Sequence, residues 1–131
     1  MPAALPRAFP DVPLLAVYAG SDGRFIRHAV DTGASGLVVA GFGAGNINAA
    51  SFAAVEYALA KDVPVVVTSQ VPHGPVLAEY GTDGGGATLV RAGAMPAGDL
   101  DGHKARLLLL LGLLRHGNDK AALAAIFDRL T

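Results

Sequence analysis

Gly36-Leu-Val-Val-Ala-Gly-Phe-Gly-Ala-Gly-Asn46 is a fully apolar run that breaks into a glycine loop carrying one amide side chain. A short continuous apolar run bounded by glycines suits a strand buried on both faces. The residues after the loop show helical spacing, with Phe52, Val55, Ala58 and Leu59 on one face and Ser51 as a candidate cap. A second apolar run follows at Val63 to Thr68, with Pro64 at its start, where a missing N–H is tolerated. The unit is therefore strand, loop, helix, strand, which calls for a parallel pairing.

Working outward, Leu14 to Tyr18 reads as an earlier strand. Ser21 or Asp22 is positioned to cap a helix carrying Phe25, Ile26, Ala29 and Val30. Downstream, Gly84-Gly-Gly86 ends a turn-rich stretch, and Thr88 to Val90 reads as a fourth, short strand. Asp99 or Asp101 caps a helix whose Leu107 to Leu114 run is apolar nearly all round and hence expected to be buried. Lys104 and Arg106 lie near its start, within reach of those aspartates. Asp119 begins a last helix with Leu123, Ile126, Phe127 and Leu130 on one face. The expected fold is α/β: a small three-layer, Rossmann-like domain with a four-stranded, mainly parallel sheet flanked by helices. Residues 1–11, rich in proline, read as a lead-in or interdomain linker, and 12–131 as the domain.

The chain has 131 residues, 52% hydrophobic and only 16% charged, with a net charge of −1 and no cysteine. Its mean hydropathy is +0.43. Either some apolar surface is covered by another body, or an alanine- and glycine-rich composition raises the value. There is no basic cluster, so nucleic-acid binding has no electrostatic support. The longest apolar stretch falls well short of the roughly 20 residues of a membrane span. Without cysteine there is no disulfide, thiolate metal site or cysteine nucleophile. A cytoplasmic location is expected, with any targeting signal lying upstream if the natural chain is longer.

Two loops leave the carboxyl ends of the proposed strands, Gly41 to Asn46 and Ser69 to Gly74, and parallel sheets bind ligands at those ends. The glycine loop has the context of a dinucleotide fingerprint, but its third glycine is displaced and no acidic residue ends the next strand. It is either a tight turn or a turn presenting the Asn46 amide to a small polar ligand. Asp31-Thr-Gly-Ala34 matches the aspartic-protease tetrapeptide, but lies in helical periodicity, where those enzymes are β-rich. His28, His73, His103 and His116 have no metal-like spacing; His73 alone is near the proposed site.

Four segments in this order resemble the C-terminal domain of the bacterial-type L-asparaginases and glutaminase-asparaginases. They are Tyr18-Ala-Gly-Ser-Asp22, Gly36 to Asn46, Val66-Val-Thr-Ser-Gln-Val-Pro-His-Gly74 and Gly98-Asp-Leu-Asp-Gly-His-Lys-Ala-Arg-Leu-Leu108. The resemblance runs from about Val12 to Leu130. It implies hydrolysis of L-asparagine to L-aspartate and ammonia without a cofactor, by a threonine nucleophile on an N-terminal domain. The nucleophile motifs Thr-Gly-Gly-Thr and Thr-Asp-Thr are not in these 131 residues. The resemblance therefore implies no catalytic residue here and an inactive chain on its own. It also implies packing on an N-terminal domain, a homo-oligomer through this domain, and a substrate-binding asparagine and glutamate lent to a neighbouring subunit. Asn46 matches the asparagine. Glu79 is the counterpart of the glutamate, where it would hold an α-ammonium by a charge-assisted hydrogen bond, with Tyr80 as the next choice. Effector binding near the third strand's end is not expected, because Ser69-Gln-Val71 carries no cysteine. A different reading keeps the fold without the chemistry: a free-standing module that binds a small amino acid.

Overall fold

In the computed structural model the described residues are 8–76, 81 and 83–130. Within them β1 (Leu14–Ala16), β2 (Leu37–Gly41), β3 (Val65–Ser69) and β4 (Met95–Pro96) form one sheet in the order β1-β2-β3-β4. Every pairing is parallel, with Leu14 opposite Val38, Leu37 opposite Val65, and Val66 opposite Met95. α1 (Arg24–Asp31), α2 (Ala49–Ala60) and α3 (Gly86–Ala92) are the crossovers, and α4 (Gly102–His116) and α5 (Lys120–Asp128) follow β4.

The layers follow from the topology. In a sequentially ordered parallel sheet, crossovers of one hand put every connecting helix on the same face. Ile26, Ala54, Val55, Ala58 and Leu89 of α1–α3 accordingly share a core with Leu37, Val39, Val65 and Val67. The other face would be bare without α4 and α5. Their Ala105, Leu109, Leu110, Leu113, Leu123 and Phe127 cover it against Val38 and Val66. The strict alternation along β2 and β3 between the two cores is the period of a strand buried on both sides.

Four local expectations differ from the structure; the first is the cap of α1, which is Gly23 with no side-chain cap rather than Ser21 or Asp22. Thr88 to Val90 lies in helix α3 rather than in a strand. Three apolar residues cannot separate the two states, and Leu89 reaches the core from a helical turn, where its N–H donates to the Gly85 carbonyl at 3.0 Å. The fourth strand is Met95–Pro96 instead, at the sheet edge where proline is tolerated. The cap of α2 is Asn48, whose Oδ1 accepts the Ser51 N–H at 2.9 Å; Ser51 lies one turn further in, its hydroxyl 3.2 Å from that of Ser21. Finally, α4 is not buried all round. Leu109, Leu110 and Leu113 are buried, but Leu107, Leu111 and Leu114 remain 54%, 51% and 37% exposed.

Other expectations match. Asp101 caps α4, accepting the Lys104 N–H at 2.9 Å, and Asp119 caps α5 through the Ala122 N–H at 3.1 Å. Lys104 lies 3.8 Å from Asp101, whereas Arg106 donates to the Val12 carbonyl at 2.6 Å. Asp31 ends α1 within a parallel α/β fold and accepts the Tyr57 hydroxyl at 2.5 Å, which removes the setting an aspartic-protease dyad needs.

Candidate functional site

The glycine loop leaves the carboxyl end of β2 and closes on itself. Phe42 donates its N–H to the Asn46 carbonyl at 2.7 Å, and Gly45 and Asn46 donate theirs to the Phe42 carbonyl, both at 2.8 Å. The turn is so tight that a Cβ on Gly41 would stand 2.5 Å from the Asn46 carbonyl oxygen. Gly45, at φ 99°, admits no side chain either, because Val76 and Val67 pack against it. The loop is therefore held in one shape, with Asn46 half-buried at its end.

The residues after β3 clamp the loop. The Ser69 hydroxyl donates to the Gly43 carbonyl and accepts the Val71 N–H at 3.0 Å. The Gln70 N–H donates to the Gly41 carbonyl at 2.9 Å. Its side-chain amide donates to the Val17 and Ala40 carbonyls at 2.6 and 3.0 Å, tying together the ends of β1 and β2. Val76, from the same stretch, packs on Gly45 and is anchored by its N–H to the Gly98 carbonyl at 3.1 Å. The two loops thus converge as their positions after β2 and β3 require. Ser69 and Gln70 were not among the expected site residues. The one sequence sign of their role is a pair of hydrogen-bonding side chains placed where a strand's backbone loses its partners.

A third support comes from Gly84, which accepts the Ile47 N–H at 2.8 Å and whose own position leaves no room for a Cβ beside the Ile47 carbonyl. On the other side, the Asn48 amide donates to the Ser21 carbonyl at 2.8 Å, linking the start of α2 to the turn before α1. In that turn the Arg24 guanidinium and N–H hold the Asp22 carboxyl at about 2, below the usual carboxylate range.

Asn46 is the expected site residue that the structure describes. Its side-chain oxygen is buried and has no hydrogen-bond partner among the described residues. Glu79 and Tyr80 lie outside the described residues. His73 is exposed in the loop after β3. Tyr18, Phe25, Phe42 and Val71, each at least 40% exposed, follow β1, lie in α1, and belong to the two converging loops. The edge carrying Asn46 is thus more apolar than an ordinary wet surface. Among the described residues no three histidine, aspartate or glutamate side chains are grouped to hold a metal ion. No helix among them is long and apolar enough to cross a membrane.

The arrangement can position an amide and bury it. A probable L-asparaginase of Deinococcus radiodurans is 43% identical over 118 residues, covering 90% of this chain and 35% of that protein. An L-asparaginase of Bacillus licheniformis is 35% identical over 105 residues, 80% of this chain and 33% of that protein. The crystal structure of a probable cytoplasmic L-asparaginase of Campylobacter jejuni superposes with a TM-score of 0.78 at 30% identity, covering 92% of this chain and 37% of that one. The chain thus spans about a third of the length of the asparaginases it matches. The family model of the glutaminase/asparaginase C-terminal domain matches residues 11–127. With that match over most of its length and the same fold as a solved asparaginase, the chain belongs to the glutaminase/asparaginase C-terminal domain family.

Proposed function

We propose that this chain is the site-completing half of an L-asparaginase-like amidohydrolase, converting L-asparagine and water to L-aspartate and ammonia. Residues 12–131 form that half and 1–11 lead into it. The nucleophile and its proton-transfer partners reside on a preceding domain, so the chain alone does not turn over. Asn46 touches the substrate or the neighbouring chain at the assembled site, and Glu79 holds the substrate's α-ammonium. No cofactor takes part. Assembly is homo-oligomeric, and the location is cytoplasmic, in line with the probable cytoplasmic L-asparaginase of Campylobacter jejuni.

The observation that carries this reading is the Asn46 side-chain oxygen, buried and without a partner among the described residues at the carboxyl edge of the sheet. A buried carbonyl left unpaired costs about 1–3 kcal/mol. A donor from substrate or from a second polypeptide removes that cost, and the exposed apolar residues on the same loops suit coverage by protein.

The test is ammonia release from L-asparagine and L-glutamine. It is measured for the chain alone and after mixing with the separately expressed N-terminal half of the Deinococcus relative. We expect no turnover alone, turnover on mixing, and a loss of about 10-fold or more in the mixture with Asn46→Ala. Turnover by the chain alone would place the nucleophile here and refute the reading. Heat of aspartate or asparagine binding by the isolated chain, without activity in the mixture, would favour a free-standing amino-acid module.

A further inference from the structure

The leucine stripe of α4 is an apolar surface that the Asn46 edge does not use. Leu107, Leu111 and Leu114 are spaced i, i+4, i+7 and so share one face. All three are more than a third exposed, although the opposite face of the same helix is fully committed to the core. Beside the stripe a groove of roughly 500 Å³ runs between α4 and α5, floored by Leu108, Gly112 and Ile126. An ordinary surface helix sets charged residues on its outer face. Here the outer face sets leucine, bordered by Lys104, Arg115 and His116, and no acidic residue occurs from Gly102 to Asn118.

We propose that this stripe seats the domain that precedes this one in its longer relatives, through an apolar centre and an acidic rim. The inference rests on the functional reading above and adds the surface by which the two halves meet. Two observations select this occupant. About two thirds of each matched asparaginase lies outside the match, and the matching part is the C-terminal one. The chain also enters at the right place. Phe9 and Pro10 line the same groove as Leu113 and Leu114, so polypeptide arriving through them reaches the fold at the Leu114 end of the stripe. Phe9 itself is 58% exposed and adds to the apolar surface at that end. The stripe then runs the height of the sheet. α4 starts after the carboxyl end of β4 and finishes beside the loop entering β3, where Asn118 donates to the Asp62 carbonyl at 2.5 Å. A body seated on it therefore extends from the linker to the edge that carries the site.

The experiment measures association of the whole chain with the N-terminal half of the Deinococcus asparaginase by titration calorimetry and sedimentation, at low and high salt. The variants are the double change Leu107→Gln, Leu111→Gln; Arg115→Glu; and Asn46→Ala. The changed α4 positions are exposed, so circular dichroism and the thermal midpoint should match the parent. We expect both α4 variants to bind at least about tenfold more weakly. Salt should weaken the parent more than Arg115→Glu. Asn46→Ala, at the other edge, should lower the activity of the mixture. Parent-like binding by both α4 variants would overturn this inference and leave the functional reading standing. No association of the parent would overturn both. An effect of the α4 changes on self-association alone would assign the stripe to a second copy and overturn the proposal as stated. Should the double variant misfold, Arg115→Glu decides by itself.

Discussion

At the residue scale, one asparagine serves two partners at once. Asn48 accepts the Ser51 N–H with its oxygen and donates its amide hydrogen to the Ser21 carbonyl. Serine in that position would cap the helix but could not reach both partners, which is why Ser51, although a good cap type, ends inside the helix with its hydroxyl against Ser21. Asn48→Ala removes the cap and leaves the Ser21 carbonyl without this donor. We expect a loss of about 1–2 kcal/mol in urea unfolding at unchanged m value. Asn48→Ser should recover part of it, since it restores the cap alone. Equal stability of Asn48→Ala and the parent would show that solvent replaces both bonds. Asn46, two residues earlier, is the contrary case. Its oxygen has no partner among the described residues, so its replacement is felt in the assembled site more than in folding.

Between elements, the unit that presents Asn46 is built from four segments. β2 supplies the loop, the end of β3 clamps it through Ser69 and Gln70, Val76 fills the space over Gly45, and the turn before α3 braces Ile47 through Gly84. Gly84 holds φ 85° and faces the Ile47 carbonyl with no room for a side chain. Gly84→Ala therefore combines a left-handed backbone cost of about 1–3 kcal/mol with a steric overlap against the Ile47 carbonyl that one side must move to relieve. The expected outcome is a lowered thermal midpoint together with amide shifts at Ile47 and Asn48 in a heteronuclear spectrum. A lowered midpoint with those signals unmoved would mean that α3 yields instead and the loop is rigid on its own. The glycine loop and the strand before it were legible from sequence, because their apolar run and their glycines are local. The clamp was not, since Gln70 and Ala40 meet only after β2 and β3 have paired.

Over the whole molecule, the described residues keep apolar side chains exposed in two regions that matter here. One lies at the sheet edge that carries Asn46, with Tyr18, Phe25, Phe42 and Val71; the other is the α4 stripe with Phe9. High mean hydropathy in a chain this size has its structural counterpart there, not only in the two cores. A partner that binds the folded domain and not the unfolded chain stabilises it by mass action, about 2.7 kcal/mol at a hundredfold excess over Kd. The thermal midpoint of this chain should therefore climb with the concentration of added N-terminal half, and not with that of an unrelated protein. A midpoint indifferent to the added half would mean that these surfaces are simply tolerated in water.

By itself the sequence determined the class of the fold, the parallel pairing, the start of α5 at Asp119, the cap of α4 to within Asp99 or Asp101, and the loop that carries Asn46. These rest on local periodicity and on side chains acting within a turn or two of themselves. Tertiary structure alone decided that Thr88 to Val90 is helical, that Met95–Pro96 closes the sheet, that Gln70 ties the strand ends, and which leucines of α4 stay outside. Each of those outcomes turns on which surfaces meet. A run such as Leu107 to Leu114 is apolar in every direction, so only the placement of α4 against β2 and β3 can select the face that water keeps.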